Sequence, residues 1–428
     1  MPEETHEVQS IHWRQCFSFL EILRSFRMAI HPGKLLLCFV ALLATAWAAV
    51  LVDQIPGVGQ TAVNDQSCYE NLRHILTDTL WGHWALPYVG DSTWDNFLAF
   101  LMTPVSALKE LIVLAVAYWM EAPWFALINT IICLSIWAFA GGAVTRMAAV
   151  RFAREENVPL KRALAFSCRK WPSIVSSPLI PFGVLVLLAV GVGVLTGLPL
   201  MVPYAGEIVV PLLFFLTLAM GLVMALVFVG GAFSVGLQWP TIAAEGSDSF
   251  DAISRSVAYI SSRPWRYLFY TVFSAVYGCL TFIFVKFVTL AALWLTHTAV
   301  SCFSVGVGPH ADKLVRLWAE PTFAHPWPET GADALVPNAE LLRAEAFGSV
   351  VIAVFVWIVI GLMVSYLFSF FFTSQTVVYF LLRKIVDATD TEEVYTEEGD
   401  EEELPVGEKT ETPAAGGEDE ERGPAETT

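Results

Sequence analysis

The chain has 428 residues, of which 56% are hydrophobic and 15% charged, and its mean hydropathy is +0.59. Soluble domains carry about a quarter charged residues, so this chain is far too apolar for one and belongs in a bilayer. The net charge of −17 is local: residues 383–428 hold 17 acids and 4 basic residues, a net of −13, and with no folded basic domain nucleic-acid binding is disfavoured.

Residues 1–34 carry Glu3, Glu4, Glu7 and Glu21 and no clean apolar core, which argues against a cleavable signal peptide and for a cytoplasmic amphipathic segment. Six apolar runs then reach or approach the ~20 residues that cross hydrocarbon: 35–52, 124–144, 179–198, 209–237, 267–295 and 347–382. The last would project about 20 Å past a ~30 Å core, so its polar Thr373, Ser374 and Gln375 are expected near or below the inner surface. Residues 97–120 are apolar and long enough for a seventh span, but Lys109 and Glu110 interrupt them. They are read as an interfacial or re-entrant helix on the outer side.

Orientation follows from Lys and Arg, which stay on the cytoplasmic side. Arg14, Arg24, Arg27 and Lys34 precede the first span; Arg146, Arg151, Arg154, Lys161, Arg162, Arg169 and Lys170 follow the second; Arg255, Arg263 and Arg266 follow the fourth. Linkers 145–178 and 238–266 are therefore cytoplasmic, loops 53–123 and 299–345 are outside, and both termini are cytoplasmic. The acidic tail, 383–428, cannot bury enough apolar area to fold and is expected to be disordered.

Residues 138–167 align with 227–256 at a constant offset of 89. Phe139/Phe228, Gly141/Gly230, Gly142/Gly231, Ala143/Ala232, Glu156/Glu245, Ala163/Ala252 and Ser167/Ser256 are seven identities in 30 gapless positions, which predicts a duplication. Ser25 through Pro32, Gly33 and Lys34 resembles Ser256 through Pro264, Trp265 and Arg266, with Ser167 through Pro172 as a degenerate middle version. Each unit would be a juxtamembrane helix, a span, an outer loop and a returning span, so any symmetry axis runs along the membrane normal. Asp248 or Ser249 can cap a helix that puts Phe250, Ile253, Val257 and Ile260 on one apolar face; Leu160, Leu164, Cys168 and Trp171 repeat the pattern. The fold class is all-α: a polytopic helical membrane protein of six spans, with an internal repeat of two-span units each preceded by a cytoplasmic amphipathic helix.

The runs from Phe139 to Arg146, Glu245 to Ser256, Arg263 to Phe269 and Val378 to Arg383 carry a resemblance. The chain resembles an uncharacterised family of polytopic membrane proteins of planctomycete-type bacteria, over nearly all of its length to about Val394. The resemblance implies a bacterial cytoplasmic membrane and a single domain, and no activity. The three-unit outline is also similar to mitochondrial solute carriers, but their Pro-x-acid-x-x-basic signature is missing at Pro32 and Pro264, and architecture does not imply function.

Several residues are candidate sites. Gly141, Gly142, Gly230 and Gly231 let helix backbones approach closely, as do Gly193 and Gly197 in a GxxxG, with a hinge as the alternative. Lys286 is a charge inside a span, a functional candidate by default, or else a snorkelling lysine or a partner of Glu110 or Glu207. Glu156 and Glu245 could form a pseudo-symmetric cytoplasmic gate with Arg151, Arg154 and Arg255, or act as caps and solvated pairs. Cys68 and Cys302, both on the outer side, are the candidates for a disulfide. His74, His83, His310 and His325 lie outside with Asp65, Asp78, Asp91 and Asp312, but no two histidines have helical i, i+4 spacing and no metal is expected. No G-x-S-x-G, H-E-x-x-H or P-loop motif is present, so neither an enzyme nor a cofactor is expected.

The expected function is that of a non-enzymatic scaffold or accessory subunit of the bacterial inner membrane. Basic amphipathic helices would face the lipid bilayer and the acidic tail a cytoplasmic protein partner. The alternative is a pseudo-threefold solute or ion transporter with its centre lined by the first, third and fifth spans, Lys286 and the Gly-Gly-Ala positions.

Overall fold

A computed structural model describes residues 18–55, 67–80, 101–303, 314, 317–322, 343–390 and 392–395, and these are helical with no strand among them. Seven helices are long and apolar enough to cross a membrane. Six contain the expected spans and the seventh is Thr103–Glu121. The chain divides into two units, Met1–Val394 and Tyr395–Thr428; the second lies outside the described residues apart from Tyr395, and so does the expected disorder of the tail beyond it.

A 3-10 turn at Ser18–Leu23 leads into α1 (Arg24–Ala29) and then α2 (Pro32–Asp53). The entry to α2 follows from its residues. Pro32 has no amide to leave unpaired in the first turn, and the His31 ring accepts the Gly33 amide at 3.3 Å. The 22 residues of α2 span about 33 Å. At its far end Asp53 accepts the Cys68 and Tyr69 amides, each at 3.1 Å, at the start of α3 (Cys68–His74), which Ser67 and Glu70 close with a capping box. A π turn, Ile75–Thr79, continues α3.

The next helix, α4 (Thr103–Glu121), does not break at Lys109 and Glu110: both are exposed, so neither charge has to be buried. Ala122 alone separates it from α5 (Pro123–Arg154). Then come α6 (Leu160–Leu200, with a π turn at Gly193–Gly197), α7 (Ala205–Glu245), α8 (Ser249–Ser262), α9 (Pro264–Phe303) and α10 (Arg343–Val386). Two left-handed caps stop the C-terminal ends of α5 and α7. Gly246 (φ 65°) carries the second without cost, whereas Glu155 (φ 61°) carries the first with a side chain, a conformation that costs a non-glycine residue about 1 kcal/mol.

The centre of the bundle is α10, which packs against α1, α2, α5, α7, α8 and α9. Hydrophobic burial does not draw helices together in lipid, so close packing has to. Aromatic rings supply it here: Trp137 stacks on Phe368 at 4.3 Å and Trp239 on Phe372 at 5.4 Å. Glycines make the room. A Cβ at Gly141 would sit 2.4 Å from the Trp239 ring, one at Gly278 2.7 Å from Phe370, and one at Gly361 2.4 Å from Phe39.

The expected centre lined by 35–52, 179–198 and 267–295 is not formed. The most apolar stretches of α6 and α7 are 6% and 0% buried, against 39% for α9 and for α10. Those two helices pack on each other, α5 and α8, and α7 also reaches α10 through Trp239, so their most apolar stretches form a hairpin at the side of the bundle. The seat at the centre belongs to the last helix, which buries a run of small polar side chains (Ser365, Ser369, Thr373, Thr376) along its length.

The expected apolar faces of the juxtamembrane helices are turned relative to the bundle. In α8 the docked face is Ala252, Ser256 and Tyr259; Ile253, Val257 and Ile260 are half-buried and Phe250 is 73% exposed. In the first turns of α6, Ala163, Phe166 and Ser167 are buried while Cys168 and Trp171 are exposed. Asp248 holds the N-cap position of α8 without a side-chain cap, its carboxylate lying 3.9 Å from Lys170 instead. Small residues win the docked face because they permit the shortest distance between helices. Ser25, Ser167 and Ser256 are each 0% exposed, as are Ala163 and Ala252.

Candidate functional site

The most connected polar cluster joins the last turns of α7 and α10, the middle of α8 and the chain after α10. Glu245, its side chain 9% exposed, ends α7. It accepts the Tyr379 hydroxyl, lies 2.8 Å from Arg255 of α8, and has Arg383 of α10 at 3.7 Å. Tyr379 and Arg383 reach one carboxylate because an i, i+4 pair shares a helix face. Arg255 also bonds Asp251 at 2.9 Å, and Tyr259, one turn further on, donates to Asp387.

The bond to Asp251, and after it the carboxylate of Glu245, holds Arg255 even more firmly protonated than usual. Burial first, and then the carboxylates of Asp387 and Glu245, push the Tyr259 phenol above its ordinary value. A buried carboxylate with two guanidinium partners and a phenol donor is a charge-paired cluster, and removing one partner is costly.

The cluster also overturns the expectation that disorder begins at residue 383. Arg383 donates to the Glu393 carbonyl at 2.7 Å and Val394 is 8% exposed in the same apolar cluster as Tyr259, Tyr379 and Leu382. Residues 387–390 and 392–394 therefore fold back on the bundle, with Val394 as the apolar anchor that the acid-rich composition hides.

Glu156 is not the partner of Glu245 in a gate. It is exposed and lines a shallow polar cleft of about 530 Å³ with Ala153, Arg154, Glu155 and Glu392. It is Glu155 that pairs with Arg24, at 2.6 Å. The left-handed cap at Glu155 comes two residues earlier, relative to the offset of 89, than the cap at Gly246, and this separates the two glutamates.

Lys286 neither snorkels nor meets Glu207. It is 1% exposed and donates to the Leu80 carbonyl at 2.8 Å, while Glu110 accepts the neighbouring Thr79 hydroxyl. It pins Leu80, which follows the π turn, to α9, among Ile75, Ala107, Phe282 and Leu290.

The glycines divide. Gly141 faces Trp239 and Phe372, Gly142 faces Ile174 and Ser167, and Gly231 faces Pro181 at 3.1 Å, but an added Cβ at Gly230, Gly193 or Gly197 meets nothing within 4 Å. A packing role within this chain is therefore corrected for Gly230 and for the GxxxG pair. Cys68 and Cys302 are not joined. Both are free thiols, Cys68 buried and Cys302 exposed, and burial, then Asp53, pushes the Cys68 thiol up to about 12. His83, His310 and His325, with Asp65, Asp91 and Asp312, lie outside the described residues. Among the described residues no group of three His, Cys, Asp or Glu could hold a metal.

Lys34 is the residue that sequence reasoning used for orientation and otherwise missed. It is 1% exposed, and its ammonium reaches the Thr373 hydroxyl of α10 at 3.5 Å with no carboxylate beside it among the described residues. The signal was present: Lys34 heads the stripe Leu37, Cys38, Ala41 that α2 buries. Burial, with Arg151 and Lys34 as neighbouring cations, lowers His31 from its ordinary value.

Fold and site together define a polytopic membrane protein, helical over the described residues, with a polar cluster packed at one end of the bundle. Comparison with known families, curated proteins and solved structures returns no match.

Proposed function

We propose that the protein is a non-enzymatic scaffold or accessory subunit of a bacterial cytoplasmic membrane, presenting its acidic tail to a cytoplasmic protein. One observation carries this reading: the chain leading into the tail is fixed to the bundle by Arg383, Asp387 and Val394. A linker of no consequence would not need such an anchorage. The ring-against-glycine packing around α10 supports it further, since the positions a transporter would keep open as a path are filled by Phe39, Trp239, Phe370 and Phe372.

The topology belongs to the same reading: six spans, both termini cytoplasmic, and α4 on the outer face. Ala107 near one end of α4 and Tyr118 near the other both meet the outer region. Ala107 joins Leu290 of α9 and Leu80, and Tyr118 bonds Asn71 of α3 at 3.2 Å and packs on Phe125 at the start of α5. A helix that crossed the membrane would leave one end on the other side. The like burial of Ala163 and Ala252, and of the three serines, supports a duplication.

The test compares proteins retained by the full chain and by a chain ending at Val394, both purified in mild detergent. A stoichiometric partner lost with the tail is expected. A chain that retains no protein and moves a solute across liposomes would overturn the reading.

A further inference from the structure

Where α8 meets α9 the chain makes an elbow, Arg263-Pro264-Trp265-Arg266, at which α8 stops and the 40-residue α9 begins. All four residues are exposed, Trp265 to 80%. Neither Arg263 nor Arg266 has an ion pair among the described residues, in contrast to Arg255, Arg383 and Arg24 of the same cytoplasmic end. The Tyr267 amide bonds the Arg263 carbonyl at 3.1 Å, which sets the two arginines one turn apart with Trp265 in the same turn. Above the elbow, Leu268, Phe269 and Val272 are 45 to 53% exposed on α9. Phe250, 73% exposed, stands at the opposite end of α8, and between the two ends run the half-buried Ile253, Val257 and Ile260.

This is a surface with two requirements. Its aromatic and aliphatic groups need an apolar medium, and its two unpaired guanidinium groups need anions at the edge of that medium. A cytosolic acidic protein would satisfy only the second, and an apolar helix only the first. Indole rings favour the headgroup level, guanidinium forks match phosphate oxygens, and the cytoplasmic leaflet supplies anionic phospholipid.

We infer that the Arg263–Arg266 elbow is a binding site for the phosphodiester headgroup of anionic phospholipid, with Trp265 and Phe250 set in the leaflet at the two ends of α8. The inference rests on the membrane part of the function proposed above and is independent of any partner for the tail. Beyond general contact with lipid, it assigns a headgroup charge and the residues that select it.

The test is native mass spectrometry of the full chain released from mixed phosphatidylglycerol and phosphatidylcholine, counting lipids retained. Each arginine near an anionic surface is worth about a fivefold preference, so about thirtyfold for the two. The intact chain is expected to keep phosphatidylglycerol in preference, the R263Q/R266Q double variant to lose that preference, and W265A to retain less of both lipids. Arg263 and Arg266 are exposed and unpaired, so the double variant leaves packing intact; extraction at alkaline pH checks that it stays in the membrane. A variant that stays membrane-bound with the preference unchanged overturns the inference while leaving the membrane reading in place. So does a wild-type mass that reads as a dimer dissociated by the same substitutions, because a second copy would then cover the elbow.

Discussion

Replacing Glu245 by alanine tests whether the ion cluster holds the ends of α7 and α10 to α8. The substitution takes from Tyr379 its acceptor and from Arg383, whose side chain is 13% exposed, its contact with α7. A hydrogen bond to a charged group is worth about 1.5–3 kcal/mol, and stripping the partner from a fully buried charge costs about 3–5 kcal/mol. Arg383 keeps Glu393, and Arg255 is half exposed and keeps Asp251, so the charge penalty is only partly incurred. The expected loss is about 2–3 kcal/mol for alanine and about 1 kcal/mol for glutamine, which keeps an acceptor for Tyr379. The assay is denaturant titration of the detergent-solubilised chain, paired with limited proteolysis after residue 386. Cleavage there is expected to speed up, since Arg383 serves both Glu245 and the returning chain. A Glu245→Ala variant within 0.5 kcal/mol of wild type (the usual range for an isolated surface site, roughly), with unchanged cleavage, would refute the reasoning. A double-mutant cycle with Tyr379→Phe should show coupling on the order of 1 kcal/mol.

Gly141→Ala is expected to lower stability by about 1–3 kcal/mol, since its Cβ would displace the Trp239 ring, whereas Gly230→Ala meets open space and gains up to about 1 kcal/mol of helix propensity; the same titration reads both. The phenol of Tyr259 is raised in the folded state, so the stability it contributes is present below the ordinary tyrosine value of about 10 and is lost as pH rises above it. Tyr259→Phe should therefore flatten the fall in melting temperature above pH 10, roughly where free tyrosine ionises, and an unchanged slope would remove Tyr259 as a contributor. Maleimide at neutral pH should label the exposed Cys168 and Cys302 and spare Cys68, which is buried and protonated; a mass shift on reduction of a Cys68–Cys302 link would contradict the structure.

What was legible in the sequence were features that repeat over many residues. Apolar length marks the helices that could cross a membrane, because it sums a weak preference over a whole segment. What failed turned on single side chains. Hydrophobicity marks Phe250, Ile253, Val257 and Ile260 as the apolar face of α8, but it gives no sign that Ala252 and Ser256 are the face that docks on the bundle, since small size outweighs apolarity where lipid competes for the apolar surface. The Gly-Gly-Ala pairs are identical in sequence, yet Gly141 is crowded and Gly230 open, a difference set by whichever ring lies across from each. Glu245 and Glu156 diverge through one left-handed residue, Glu155. Val394 and Lys34 were hidden by composition, one apolar residue among acids and one cation at the mouth of an apolar run.

The helix at the centre of the bundle is also the last to be made. While the ribosome is still translating residues before 343, α2 and α5 can meet, and α6 can pair with α7, but α9 has little to hold beyond α4, α8 and the Ser18–Leu23 turn. Lys34 then has no Thr373 to face and Ala29 no Ser369 to accept from. The membrane receives a loose set of inserted helices, and assembly waits for the closing segment, so the order of synthesis makes α10 the keystone. Chains stalled before residue 343 should be integrated yet readily degraded, and α10 supplied as a separate polypeptide should rescue them.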